Sequence, residues 1–335
     1  MRAFRNVSAI KASLKPHEMI WQIIGPDGNV VEEAENPIHN LVLNQTWDDL
    51  IAQYGFYWLT NYAAVGTGSS TPDATQTSLD AEVARTGTVP SGETEGAAYV
   101  SDGLFEISRV KQFDSSQVGG QNLTEWAWSP NSSSGANICV RELFRDSNGD
   151  PVTLTIASDQ SLRLIYKQQV TISPAPLTGQ SISFDLTNVG TYNSTWWLTN
   201  AESLAPLAWA DAVARGEVGA HGTTSEGISL YRKKDVGSVV QAAGSLVDYS
   251  NDYAVTFAAY TSGARKRTLL QQTVSEDDGN DTWYGLVYML NDYGGPYHNI
   301  GSDLDGLYMD WADTLTKDSQ HRLIIDQFDI LTWGP

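Results

Sequence analysis

The feature that most constrains this chain is a two-residue period that recurs in short runs. Val152, Leu154 and Ile156 alternate with Thr153 and Thr155, and Tyr253, Val255 and Phe257 share one face of DYAVTFAAY. Phe328, Ile330 and Thr332 alternate with Asp329, Leu331 and Trp333, and Trp126 and Trp128 share a face of LTEWAWS. Side chains two apart point to the same face of a strand, so each run reads as a half-buried strand. Turn-forming text separates the runs: PDGN at 26–29, SNGD at 147–150, DDGN at 277–280 and YGGP at 293–296. The pattern predicts a mainly β protein of antiparallel sandwiches or jelly rolls. It predicts one short helix near residues 46–55. There Trp47, Leu50, Ile51 and Tyr54 follow i, i+3, i+4, i+7, with Thr46 as cap, Asp48 and Asp49 in the first turn and Gly55 as stop. A second short helix or turn is expected in TSLDAEVAR, where Leu79 and Val83 are four apart.

The chain has 335 residues, enough for two domains of about 150 residues each. Three blocks recur in the same order. YWLTN at 57–61 returns as WWLTN at 196–200, and the Val83-Ala84-Arg85 stretch returns as Val213-Ala214-Arg215. The 23 residues at 152–174 align without gaps to those at 313–335. The offsets, 139, 130 and 161, are unequal, which fits one duplication with loops of different length rather than a solenoid. The expectation is two tandem, duplicated antiparallel β-sandwich domains, residues 1–176 and 177–335, divided near the Pro/Gly-containing SPAPLTG at 173–179. Trp58 and Trp197, with Val83, Arg85, Val213 and Arg215, are then repeated packing positions. The two tryptophans are read as a shared core anchor at the start of a strand, ahead of a sugar-stacking platform.

Acids outnumber bases 40 to 20, for a formal charge of −20. That argues against phosphate backbones and anionic membranes as partners. The N-terminus lacks the apolar stretch of a secretory signal, and no apolar run reaches 18 residues, so a protein folded in a cytoplasm is expected. The one cysteine, Cys139, leaves no intrachain disulfide and no cysteine-based zinc site. Neither a GxxxxGK[ST] loop nor a GxSxG elbow occurs, and GTGSS at 66–70 reads as a loop. His17, His39, His221, His298 and His321 show no metal-ligand spacing. Asp146, Asn148 and Asp150 start like a calcium loop, but Gly149 falls at the fourth position and no closing Glu follows. A hairpin turn between Phe144 and Val152 accounts for them better. An acidic, Trp-rich β protein also fits a carbohydrate-binding or glycan-cleaving role, yet no carboxylate pair can be nominated. No catalytic, cofactor-binding or metal-ligating residue emerges, and no cofactor is expected.

The first half carries NPIHNLVLNQTWDDLIAQYG, then YAAVGTGSSTPDATQTSLDAEVAR, LTEWAWSP and NICVRELFRDSNGDPVTLTIASDQSLRLIYKQQVTI, and the chain closes on LIIDQFDILTWGP. This text resembles virion structural proteins of tailed bacteriophages: an Asn-Leu-Val strand before a short helix, a Val-Gly-Thr-Gly loop with Thr-Pro, Leu-x-x-Glu-Val-x-Arg, and a final strand ending in Trp-Gly. The resemblance covers most of the first half and the end of the second, which lacks the Val-Gly-Thr-Gly loop. It implies a non-enzymatic β-sandwich component of the tail, baseplate or fibre attachment. Its partners would be other virion proteins and copies of itself, with a host-surface glycan as a further partner. A capsid decoration protein is the alternative within that class.

Overall fold

The structure, a computed structural model, describes residues 2–3, 8–37, 41–173, 180–186, 190–198, 204–216, 227–233, 249–275, 281–291 and 306–334. The protein is mainly β, with several sheets. The strands begin with β1 (Arg2–Ala3), β2 (Ser8–Ile24), β3 (Val30–Glu35) and β4 (Leu41–Val42). After a helical run come β5 (Tyr62–Gly66), β6 (Glu82–Thr86), β7 (Gly96–Ser101), β8 (Leu104–Phe113), β9 (Asn122–Leu123), β10 (Glu125–Ser129), β11 (Val140–Leu143), β12 (Leu154–Thr155) and β13 (Ser161–Ser173). The remainder are β14 (Gln180–Leu186), β15 (Gly190–Leu198), β16 (Gly227–Lys233), β17 (Tyr249–Ala254), β18 (Lys266–Leu269), β19 (Gln272–Val274), β20 (Asp281–Asn291), β21 (Gly306–Lys317), β22 (Leu323–Ile325) and β23 (Phe328–Gly334). The helices are α1 (Thr46–Asp49), α2 (Gly55–Trp58), α3 (Ser115–Val118) and α4 (Ala205–Arg215).

Contacts group the chain into two units. One holds Leu14–Ala98 and Glu106–Val170; the other holds Met1–Ser13, Tyr99–Phe105 and Thr171–Gly334. The long strands β2, β8 and β13 therefore divide between them. The boundary expected after residue 176 lies outside the described residues.

In the first unit a five-stranded antiparallel sheet runs β4-β11-β10-β5-β6, and β12 pairs with β9. β10 is buried along its whole length, because both of its faces are covered. Trp126 and Trp128 on one face meet Tyr166, at 6.1 and 5.2 Å between ring centroids. Ala127 on the other joins a cluster with Leu43, Ala64, Leu79 and Ile138. β13 shows the same two-residue period, burying Leu162, Leu164, Tyr166, Gln168, Val170 and Ile172.

The expected helix is present, and it runs on through a π turn at Leu50–Tyr54 into α2. Two details differ from expectation. Thr46 does not cap it: its hydroxyl is buried and donates to the Cys139 carbonyl at 2.7 Å. Gly55 does not end it, but takes φ +53 between the π turn and α2. No helix forms over TSLDAEVAR, where a bend leads directly into β6.

In the second unit a six-stranded antiparallel sheet runs β14-β15-β21-β20-β16-β17. β19 pairs with β22, and β18 with β23. α4 was not anticipated. Pro206 opens it, Gly216 closes it in the left-handed conformation (φ +73), and Leu207, Ala208, Trp209, Ala210, Ala212, Val213 and Ala214 are all buried. The purely antiparallel expectation also fails here. β1 pairs with β22, and β2 with β23, in parallel, because the N-terminal strands belong with this unit. Periodicity reports faces and carries no strand direction.

Without β14, the six-stranded sheet has the strand order and sense of the five-stranded one. β4, β11, β10, β5 and β6 take the places of β15, β21, β20, β16 and β17. A helical segment follows β4, as α4 follows β15. The pair β12–β9 matches β22–β19, and the neighbours β13 and β8 match β23 and β18. The backbone links agree as well: Gln112 N donates to the Thr88 carbonyl at 2.9 Å, and Leu270 N to the Thr256 carbonyl at 2.8 Å.

Candidate functional site

The densest polar cluster lies beneath the Val-Gly-Thr-Gly loop of the first unit. β10 carries Glu125 and its neighbour β11 carries Arg141, both fully buried. Glu125 Oε1 accepts from the backbone N–H of Gly68 and of Ala81, each at 2.9 Å. Its Oε2 accepts from Asp80 N at 3.2 Å and from Arg141 Nε and Nη2 at 3.0 and 2.8 Å. Arg141 also donates to the Ser70 carbonyl, to Gln76 Oε1 and to Asp80 Oδ2 at 3.2, 2.8 and 2.9 Å. Hydrogen bonds from Ser70, with the nearby Arg141 charge, hold the Asp80 carboxyl below its ordinary pKa. Thr124 grips the same loop, its hydroxyl donating to the Gly68 carbonyl at 2.6 Å. A Cβ on Gly66 would sit 2.5 Å from the Ala81 carbonyl oxygen, and one on Gly68 would sit 2.4 Å from Asp80 Cβ and Glu125 Oε1. The loop needs glycine because the clamp closes directly onto its backbone. Both Glu125 oxygens are filled from within the chain and the pair is covered, so the arrangement fixes a loop and leaves no open group for a substrate.

Arg85 performs a similar task on β6. It pairs with Glu82 at 2.9 Å and donates to the Asn131 and Ala136 carbonyls at 2.9 and 3.1 Å, holding the 129–137 loop. On β8, Arg109 and Lys111 share Glu95, at 3.0 and 2.9 Å. Arg109 also donates to the Tyr57 carbonyl and lies 3.7 Å from the Tyr57 ring centre. Burial pulls the Lys111 ammonium below its ordinary pKa. On β18, Arg267 donates to the Ala214 and Arg215 carbonyls, both at 2.8 Å, at the end of α4.

The repeated positions separate into different structures. Trp58 ends α2 and is 38% exposed, while Trp197 lies inside β15 at 4%. The shared strand-start anchor is therefore corrected. Val83 and Arg85 lie on β6, whereas Val213 and Arg215 lie in the last turn of α4. A three-letter match carries no memory of secondary structure, and here it pairs a strand with a helix. Thr199 and Asn200 lie outside the described residues. The third block keeps its form only in part: residues 167–173 at the end of β13 align with β23, its counterpart, but Leu154–Thr155 of β12 fall opposite the end of β21 and not opposite β22.

Asp146 Oδ1 accepts from Asn148 N and Asp150 N at 2.9 and 3.0 Å, and Val152 N donates to the Phe144 carbonyl at 2.8 Å, so this stretch is the expected hairpin turn. His17 lies 3.7 Å from Glu106, and His321 lies 2.6 Å from Asp318. His39, His221, His298, DDGN and YGGP lie outside the described residues. Among the described residues, no three His, Cys, Asp or Glu side chains stand together as metal ligands, and no helix is long and apolar enough to cross a membrane. Cys139 is fully buried beside Asp49, and burial raises its thiol well above the ordinary pKa. Sequence reasoning missed Glu125, Arg141, Arg109 and Arg267. A charged residue inside an otherwise apolar strand was the available signal, as in TEWAW and CVREL. The chain matches no protein-family profile, no curated protein and no solved structure.

Proposed function

We propose that the protein is a non-enzymatic structural component of a tailed-phage particle, in the tail, baseplate or fibre-attachment apparatus, built from two duplicated β-sandwich domains. One observation carries this reading. Gly66 and Gly68 of the Val-Gly-Thr-Gly loop, together with Asp80, Glu125 and Arg141 from the neighbouring segments of the same text, converge in a single buried clamp that holds a loop. Such a motif maintains architecture, as a scaffold requires, and its groups are spent on one another rather than aimed at a substrate. The common strand order of the two sheets supports the duplication, although the sequence blocks first aligned are not all equivalent. The protein would act through loops and strand edges presented to neighbouring subunits.

Immunogold electron microscopy on particles from the source culture tests the reading. Gold on tails is the expected result. Gold over heads would transfer the assignment to capsid decoration, and unlabelled particles beside abundant free protein would end the virion reading.

A further inference from the structure

We propose that the outer face of β14, β15 and β21 is a binding site for a neutral saccharide. A partly open cavity of about 350 Å³ lies over these three strands of the second unit. The register builds its floor in rows. Ser183 pairs with Asn193 and Asn193 stands level with Ala312, while Ser181 pairs with Thr195. Residues opposite one another in a sheet project to the same side, so Ser181, Ser183, Asn193, Thr195 and Ala312 share this face. Ser194 and Trp311, the paired row between, are buried and belong to the other face, so they close the floor from beneath. Ala312 keeps the middle of the floor low. Ser183 Oγ donates to Asn193 Oδ1 at 2.8 Å, which fixes the amide and directs its Nδ2 donors away from that contact.

The lining selects the ligand class by elimination. Among the described residues of the lining none is ionisable, so they offer an anion or a cation no charge-assisted bond. An apolar ligand would cover three hydroxyls and an amide without replacing their hydrogen bonds to water, at a cost for each. Hydroxyls and a carboxamide, each able to donate and accept, match a ligand dense in hydroxyls. The volume is at the small end of ligand sites and suits the end of a chain or one short segment of it. β14 is also the strand of this sheet with no counterpart in the other unit, so the face is an addition to the shared plan. The assignment stands on this sheet's chemistry, wherever the protein sits.

Saturation-transfer NMR on the full chain is the test. The probes are maltotriose, cellotriose, chitotriose and mannotriose, with trigalacturonate as the charged control. Transfer to at least one neutral trisaccharide is expected, with affinity reduced about tenfold or more by Asn193→Ala, the scale of one or two lost hydrogen bonds. Ala312→Leu, which fills the floor without removing a polar group, should abolish it, with near-UV circular dichroism confirming the fold of both variants. Silence from every neutral probe at about millimolar concentration overturns the proposal. Equal binding of trigalacturonate overturns it too, as does binding that both substitutions leave unchanged.

Discussion

Arg109 and Arg267 hold the same place on equivalent strands of the two units, each with its guanidinium on backbone carbonyls where the preceding helical segment ends. Arg267 takes the carbonyls of Ala214 and Arg215, and Arg109 that of Tyr57. Three residues beyond each arginine, Gln112 N and Leu270 N bond to the Thr88 and Thr256 carbonyls. A helix end leaves its last carbonyls without intrahelical donors and carries partial negative charge, so a buried cation there serves both needs.

Removing either arginine should therefore loosen the helix it holds. Arg267→Ala is expected to lower unfolding stability by about 2–4 kcal/mol, since two carbonyls lose their donor and a cavity opens. Arg267→Lys, which cannot reach both carbonyls in the fork geometry, should recover less than half of that. Urea unfolding of the three proteins decides it; a wild-type midpoint for the alanine variant would refute the capping role.

Gly68→Ala should cost more than about 3 kcal/mol, because its Cβ would fall 2.4 Å from Asp80 Cβ and Glu125 Oε1. Gly96→Ala is the control, with nothing within 4 Å of its Cβ and no positive φ, and should change stability by less than about 0.5 kcal/mol. Thermal unfolding of the pair measures the contrast. Similar melting temperatures would mean that the loop is not clamped as described.

Asp49 gives a prediction with pH. Burial raises its carboxyl above the ordinary value, against the opposing hydrogen bond from Asn137. A raised acid binds its proton more tightly folded than unfolded, so the native state loses stability as pH climbs from the unfolded to the folded pKa. Asp49→Asn should then stabilise the protein at neutral pH, by about 1 kcal/mol, and the gain should vanish in acid below the ordinary carboxylate pKa. Denaturant midpoints across that range test this. A gain independent of pH would point to packing instead.

Cys139 should resist a thiol reagent such as DTNB at pH 8 in the native protein and react once in denaturant, because the thiol is covered and held protonated. Stoichiometric labelling without unfolding would contradict its burial.

The β class and the first helix were legible because Trp47 and Leu50 obey one period, and Trp126 and Trp128 another. α4 could have been read as well: Pro206 and Gly216 bracket it, but its apolar text is almost continuous and shows no stripe, which hides a helix buried on all sides. The common strand order of the two sheets was invisible at Val83 and Val213; Arg109 and Arg267, on matching strands, are one arginine apiece among otherwise unlike neighbours. Charged clamps escape pattern reading because Glu125 and Arg141 meet through strand pairing, and no local spacing announces that.

The parallel pairing of β2 with β23 sets the order in which the protein can be completed. Ile10 waits for Thr332, whose hydroxyl reaches its carbonyl across 322 residues of sequence. The Ser8–Ser13 half of β2 thus gains this partner only after β23 has been made, whereas its Ile20–Ile24 half pairs with nearby β3, so this closure is one of high contact order and slow formation. A chain cut short before Phe328 would display the Ser8–Ser13 edge unpaired, open to association with other chains. Synthesis of β23, and not the pairing of β2 with β3, is the step that covers this stretch.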